Sequence, residues 1–103
     1  MSHSPIRILL VEDNPGDARL IREMLSDVKG TAFDLEEAVR LSEARDRLDQ
    51  GDIDLVLLDL SLPDSYGFDT FQKIRTHVPT IPIVVLSGLN DETMAMKTAS
   101  LSA

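Results

Sequence analysis

Ile53-Asp54-Leu55-Val56-Leu57-Leu58, closed by Asp59, is an almost continuous apolar run without alternation. Such a run suits a parallel strand covered on both faces, whereas a half-exposed antiparallel strand alternates apolar with polar residues. Upstream, residues 6–11 repeat the pattern, interrupted by Arg7 alone and followed at once by polar turn residues. Downstream, residues 81–86 do the same, with Pro82 near the start, where a missing N–H does least harm. Residues 33–39 are more polar and fit a strand at a sheet edge.

Helical spacing fills the intervals. Asn14-Pro15 offers a cap and a proline suited to the first helical position, and Ala18, Ile21, Met24, Leu25 and Val28 follow at helical spacing, predicting a helix over 15–27. Leu41, Ala44, Arg45 and Leu48 lie along one side of a short helix ending near Gly51. Residues 68–76 form a third helix after a loop, 60–67, that contains proline and glycine, and Asn90-Asp91-Glu92 caps a fourth, rich in Ala and Met. Four strands alternating with four helices predict the α/β class, with a parallel sheet, right-handed crossovers and helices on both faces.

The 103 residues hold one domain and one core, and 43% apolar with 27% charged residues is the balance of a soluble globular protein. Ten basic against 18 acidic residues give a net charge of −8, which opposes binding to nucleic acid or an anionic membrane and favours proteins or cations as partners. No apolar run approaches the ~20 residues of a membrane span, and residues 1–5 lack the pattern of a secretion signal, so a cytoplasmic location is expected. The absence of cysteine excludes disulfides, thiolate zinc sites and a cysteine nucleophile.

Three polar features fall at the C-terminal ends of the buried strands: Glu12-Asp13, Asp59 and Ser87. In open parallel sheets those ends form the ligand crevice. Carboxylates converging there repel one another unless a cation joins them, and Mg²⁺ takes oxygen ligands of this kind, two carboxylates and a backbone carbonyl being a plausible set. An aspartate beside bound Mg²⁺ can attack a phosphoryl group, with Ser87 as a hydroxyl donor. Singly, each residue fits a solvated loop or a helix cap; together, at alternating strand ends, they point to chemistry. His77 fits an exposed position near a helix end, and Met94 and Met96 fit packing or helix formation.

Ile-Leu-Leu-Val-Glu-Asp-Asn (8–14), Leu-Leu-Asp-Leu-Ser-Leu-Pro-Asp-Ser-Tyr-Gly (57–67) and Ile-Val-Val-Leu-Ser-Gly (83–88) resemble the signature blocks of response-regulator receiver domains, and the likeness runs to about Thr98. The resemblance implies a flavodoxin-like, doubly wound parallel sheet forming a single receiver domain over 1–103. It implies a non-enzymatic phosphoacceptor of a two-component phosphorelay, supplied by a histidine kinase or phosphotransfer protein. By the same resemblance Asp59 is the phosphoacceptor, Asp13 the main carboxylate ligand of Mg²⁺, Glu12 the second acidic residue, and Ser61 the position whose backbone carbonyl meets the metal. Ser87 supplies the hydroxyl that follows the phosphoryl group, and Pro63 and Gly67 shape the loop.

Receivers of this kind also have a fifth strand and helix, with a lysine roughly 20 residues after the position of Ser87. The expectation is therefore a receiver incomplete at its C-terminus, truncated to about four strands and four helices, in which Lys97 is a solvated helix charge rather than a replacement. Impaired phosphotransfer is expected with it, and so is a homodimer or higher oligomer covering the edge 81–86 and the helix face of Ile21, Met24 and Leu25. The alternative is a degenerate receiver fold serving as an oligomerisation or interaction module. A metal-dependent phosphohydrolase is disfavoured, because no second catalytic acid stands beside Asp59.

Overall fold

The computed structural model describes residues 5–86. In chain order the elements are β1 (Ile6–Val11), α1 (Pro15–Ser26), β2 (Phe33–Ala38), α2 (Leu41–Asp49), β3 (Leu55–Asp59), a small ribbon of β4 (Ser61–Leu62) and β5 (Ser65–Tyr66), α3 (Phe68–His77) and β6 (Ile83–Leu86). The main sheet runs β2-β1-β3-β6 and every pairing in it is parallel. The α/β class and the edge position of β2 are as the sequence predicts. The fourth helix and Lys97 lie outside the described residues. Of the surfaces expected to be covered by self-association, Val84 of β6 is 47% exposed and Met24 of α1 is 62% exposed, whereas Ile21 and Leu25 pack on the sheet.

Continuous apolar strands arise because both faces of the sheet are covered. Side chains alternate along a strand, so Leu9, Val11, Val56 and Leu58 join one core with Leu41, Ala44 and Leu48 of α2 and Phe71 and Ile74 of α3. Ile8, Leu10 and Leu57 join the opposite core with Ala18, against which Ile21 and Leu25 pack. Every position in the middle of β1 and β3 is therefore a core position, and neither strand has a polar face to show in its sequence. Arg7 is tolerated because it lies at the exposed N-terminal end. There its N–H donates to Asp54 Oδ2 at 2.9 Å, and its carbonyl accepts from the Asp54 N–H at 2.8 Å.

Several boundaries and faces differ from the spacing argument. On α1 the sheet-facing residues are Ala18, Ile21 and Leu25, while Met24 is 62% exposed and Val28, past the helix end, is 45% exposed. On α2 the buried stripe is Leu41, Ala44 and Leu48, and Arg45 faces solvent. Strand β3 starts at Leu55 rather than residue 53, because Gly51 (φ 83°) and Asp52 (φ 67°) turn the chain in the left-handed region just before it. Strand β6 starts at Ile83; Pro82 has no N–H to give, but its carbonyl accepts from Val56 N–H at 3.0 Å.

Candidate functional site

Strand register assembles the site. Val11 pairs with Leu58, so the residues that follow, Glu12 and Asp59, emerge side by side at the C-terminal edge of the sheet. The Glu12 N–H donates to the Ala38 carbonyl at 2.9 Å, which extends the β1–β2 ladder by one bond and fixes the Glu12 backbone. Glu12 is only 5% exposed, Asp59 is half-buried and Asp13 is exposed at the mouth. One carboxylate oxygen from each of the three lies within 4.8 Å of the others.

This crowding has an electrostatic cost. Burial, then the adjacent Asp59 carboxyl and then Asp17 push the Glu12 carboxyl up to about 9. A hydrogen bond between two carboxyls exists only when one holds a proton, and Glu12 Oε2 is buried with no hydrogen-bond partner. A buried, unpartnered oxygen beside two further carboxylates is a donor set that fits a hard divalent cation such as Mg²⁺. Asp17 reaches the site from the first turn of α1. That turn is capped by Asn14, whose Oδ1 accepts from the N–H groups of Gly16 (2.9 Å) and Asp17 (3.2 Å). A Cβ at Gly16 would stand 3.2 Å from that oxygen, so glycine keeps the cap open.

The segment after Asp59 is tied down along its length. Ser61 is exposed between two buried leucines, Leu60 and Leu62, and its N–H donates to Asp59 Oδ1 at 3.1 Å. The ribbon pairs Ser61 with Tyr66 and Leu62 with Ser65. Gly67, at φ 73° and ψ −155°, closes the loop by donating its N–H to the Leu60 carbonyl at 2.7 Å. Few residues other than glycine adopt that conformation. Ser65 Oγ and the fully buried Thr70 Oγ1 are 2.7 Å apart. Asp64 accepts from the N–H groups of Leu41 (2.7 Å) and Ser42 (3.0 Å), the first turn of α2. Burial opposes ionisation of Asp64, but these amides prevail and hold its carboxyl below the ordinary range.

Glu12, Asp13 and Asp59 are thus brought together, Ser61 is bonded to Asp59 through its backbone, and Ser87 lies outside the described residues. The β3–β6 register pairs Asp59 with Leu86, the residue before Ser87. His77 is not a free surface residue: its side chain is 23% exposed, with Nε2 2.7 Å from Asp49 Oδ1, joining the ends of α3 and α2. Sequence reasoning missed Asp17 and Asp64. Asp17 carried a weak signal as an acid in a helical first turn just after the Glu12-Asp13 pair. Asp64 carried none in the local pattern: Arg40, ahead of α2, makes no side-chain cap bond, and the cap comes from more than 20 residues away.

Comparison with known proteins agrees with this fold. Residues 8–103 match the family model described as the response regulator receiver domain. The chain is 31% identical to the glycerol metabolism activator of Pseudomonas putida over 94% of its length, and 36% identical to the cell cycle transcriptional regulator CtrA of Caulobacter vibrioides over 90%. It spans 44% and 39% of those two proteins. Among solved structures, the phosphorylated cyanobacterial phytochrome response regulator RcpA superimposes with a TM-score of 0.75 at 32% identity, covering 92% of this chain and 76% of that one. The non-phosphorylated HemR receiver domain of Leptospira biflexa gives 0.74 at 34% identity, covering 97% and 77%.

Proposed function

This chain belongs to the response regulator receiver domain family, and we propose that it serves a two-component phosphorelay by accepting a phosphoryl group on Asp59 in the presence of Mg²⁺. The observation that carries the reading is the meeting of Glu12, Asp13 and Asp59 within 4.8 Å at adjacent strand ends. The donor is a phosphohistidine on a histidine kinase or phosphotransfer protein. An Asp59 carboxylate oxygen attacks phosphorus; the new O–P bond makes an acyl phosphate as the N–P bond breaks, and the departing imidazole takes up a proton.

The chain's own residues prepare that step. Ser61 N–H holds Asp59 Oδ1 and so limits rotation of the nucleophile. Glu12, Asp13, Asp59 and the backbone carbonyl of Ser61 would hold Mg²⁺. The ion supplies charge neutralisation for the carboxylates and the phosphoryl oxygens. Glu12 holds its proton at neutral pH, and to act as a ligand it would have to give that proton up. Ser87 is assigned the hydroxyl contact to the phosphoryl group.

The domain is a stoichiometric signal acceptor rather than an enzyme, and it works in the cytoplasm. Among the described residues no helix is long and apolar enough to cross a membrane. A net charge of −8 opposes direct contact with nucleic acid by this domain. The test is incubation with a small phosphodonor, followed by intact mass. One phosphoryl adduct per chain is expected with Mg²⁺ and far less without it, and none in Asp59→Asn. Equal labelling of that variant would overturn the assignment.

A further inference from the structure

The phosphoacceptor loop makes a long-range connection that lies outside the carboxylate cluster. Helix α2 begins after Arg40, which is extended (φ −152°, ψ 164°) and makes no side-chain cap bond. Its first-turn N–H groups at Leu41 and Ser42 are instead taken by Asp64, more than 20 residues later in the chain, at 2.7 and 3.0 Å. Two charge-assisted bonds from one carboxylate fix orientation as well as distance. Favourable interaction with the helix dipole adds to them. At its other end the same loop is bonded to the site, through Ser61 N–H and Asp59 Oδ1.

We propose that Asp64 is a positioning residue that clamps the phosphoacceptor loop to the N-terminus of α2, and thereby holds Ser61 and Asp59 in the arrangement that binds the cation. The inference rests on the reading of this cluster as the cation and phosphoryl site. Asp64 lies between the two strands of the ribbon, Ser61–Leu62 and Ser65–Tyr66, so loss of the clamp frees the ribbon's tip. Pro63 removes one N–H from that tip, and the tip's link to α2 passes through Asp64. Gly67 N–H to the Leu60 carbonyl closes the base of the loop, and Ser65 to Thr70 holds its C-terminal side. Asp64 ties the tip, where the chain turns from β4 into β5, to α2.

A residue that merely caps α2 would contribute to stability and leave the cation site alone. The discriminating measurement is therefore Mg²⁺ affinity of the full chain, followed by NMR of amide groups near Asp59, for wild type, Asp64→Ala, Asp64→Asn and Arg47→Ala. The last is a control that removes the fork from Arg47 to Glu36, at 2.8 and 2.7 Å, away from the loop. Asp64→Ala is expected to weaken Mg²⁺ binding by up to roughly 10-fold, the low end for loss of a group bonded directly to a metal ligand, because Asp64 acts on the ligands only through the loop. In the metal-free protein it should speed hydrogen exchange at the Leu41 and Ser42 amides. Asp64→Asn keeps one acceptor oxygen and should fall between. Arg47→Ala should lower stability and leave Mg²⁺ affinity unchanged.

Wild-type affinity in Asp64→Ala, or an equal loss in Arg47→Ala, would overturn the clamp while the site reading stands. A wild-type chain that binds no Mg²⁺ would overturn the site reading and the clamp together. If Asp64→Ala does not fold, Asp64→Asn decides by the same criteria.

Discussion

Glu12 is the residue whose ionisation couples folding to pH, and to cation binding under the function proposed above. Its carboxyl sits near 9 in the folded chain against an ordinary value of 4.5, through burial first and the neighbouring Asp59 and Asp17 carboxyls second. The folded state therefore holds a proton that the unfolded state releases above about pH 4.5. Stability from this group is fully present below that pH and is lost as pH rises towards 9. Glu36 and Asp64 act in the opposite sense: their carboxyls are lowered, so their contribution is present above their ordinary values and lost as pH falls through the folded ones. Metal-free protein should accordingly be most stable on the acid side of neutrality. Urea midpoints between pH 5 and 9 should decline, with a slope no steeper than about 1.4 kcal/mol per pH unit from one group. Glu12→Gln should flatten the decline, and saturating Mg²⁺ should oppose it. A wild-type profile that stays flat in the absence of metal would contradict the burial of a protonated Glu12.

At the scale of elements, the loop between β3 and α3 carries more structure than its proline and glycine suggested. Leu60 and Leu62 are buried in the core shared with α2 and α3, and the ribbon between them and Gly67 places Ser61 on the surface side. Gly67→Ala should cost about 1–3 kcal/mol, because φ 73° with ψ −155° is almost closed to a residue with a Cβ. An unchanged denaturation midpoint would show that this turn relaxes freely. Strands β1 and β3 were legible because a strand covered on both faces leaves a continuous apolar run in the sequence; β6 carries the same kind of run, yet among its residues only Ile83 is buried and Val84 is 47% exposed. Helix faces were less legible: on α1 several apolar residues share the helical period, and spacing alone did not separate Leu25, which packs on the sheet, from Met24, which does not. The ribbon was missed because two-residue strands leave no periodic signal. The α2 cap was missed because Asp64 acts across a distance in sequence that local patterns do not register.

For the whole molecule, the candidate site is a product of topology. A parallel sheet ordered β2-β1-β3-β6 puts the ends of β1 and β3 next to each other, and register carries Glu12 to the side of Asp59. That convergence was legible once the strands were, since acids at the ends of buried parallel strands have few other places to go. Depth was not legible. Nothing local to Glu12-Asp13 says that the first carboxyl is buried and the second exposed; the difference appears only in the fold, where the Glu12 backbone is bonded to Ala38 at the end of β2 and Asp13 is left at the mouth. Asp59, and neither of the acids beside it, is proposed to carry the phosphoryl group. Borohydride reduces an acyl phosphate of aspartate to homoserine, so treatment of the Mg²⁺- and phosphodonor-loaded chain, followed by peptide mass mapping, reads the modified position directly. Homoserine is expected at position 59, with Glu12 and Asp13 unmodified. Conversion at Asp13 or Glu12, with Asp59 left intact, would contradict that proposal.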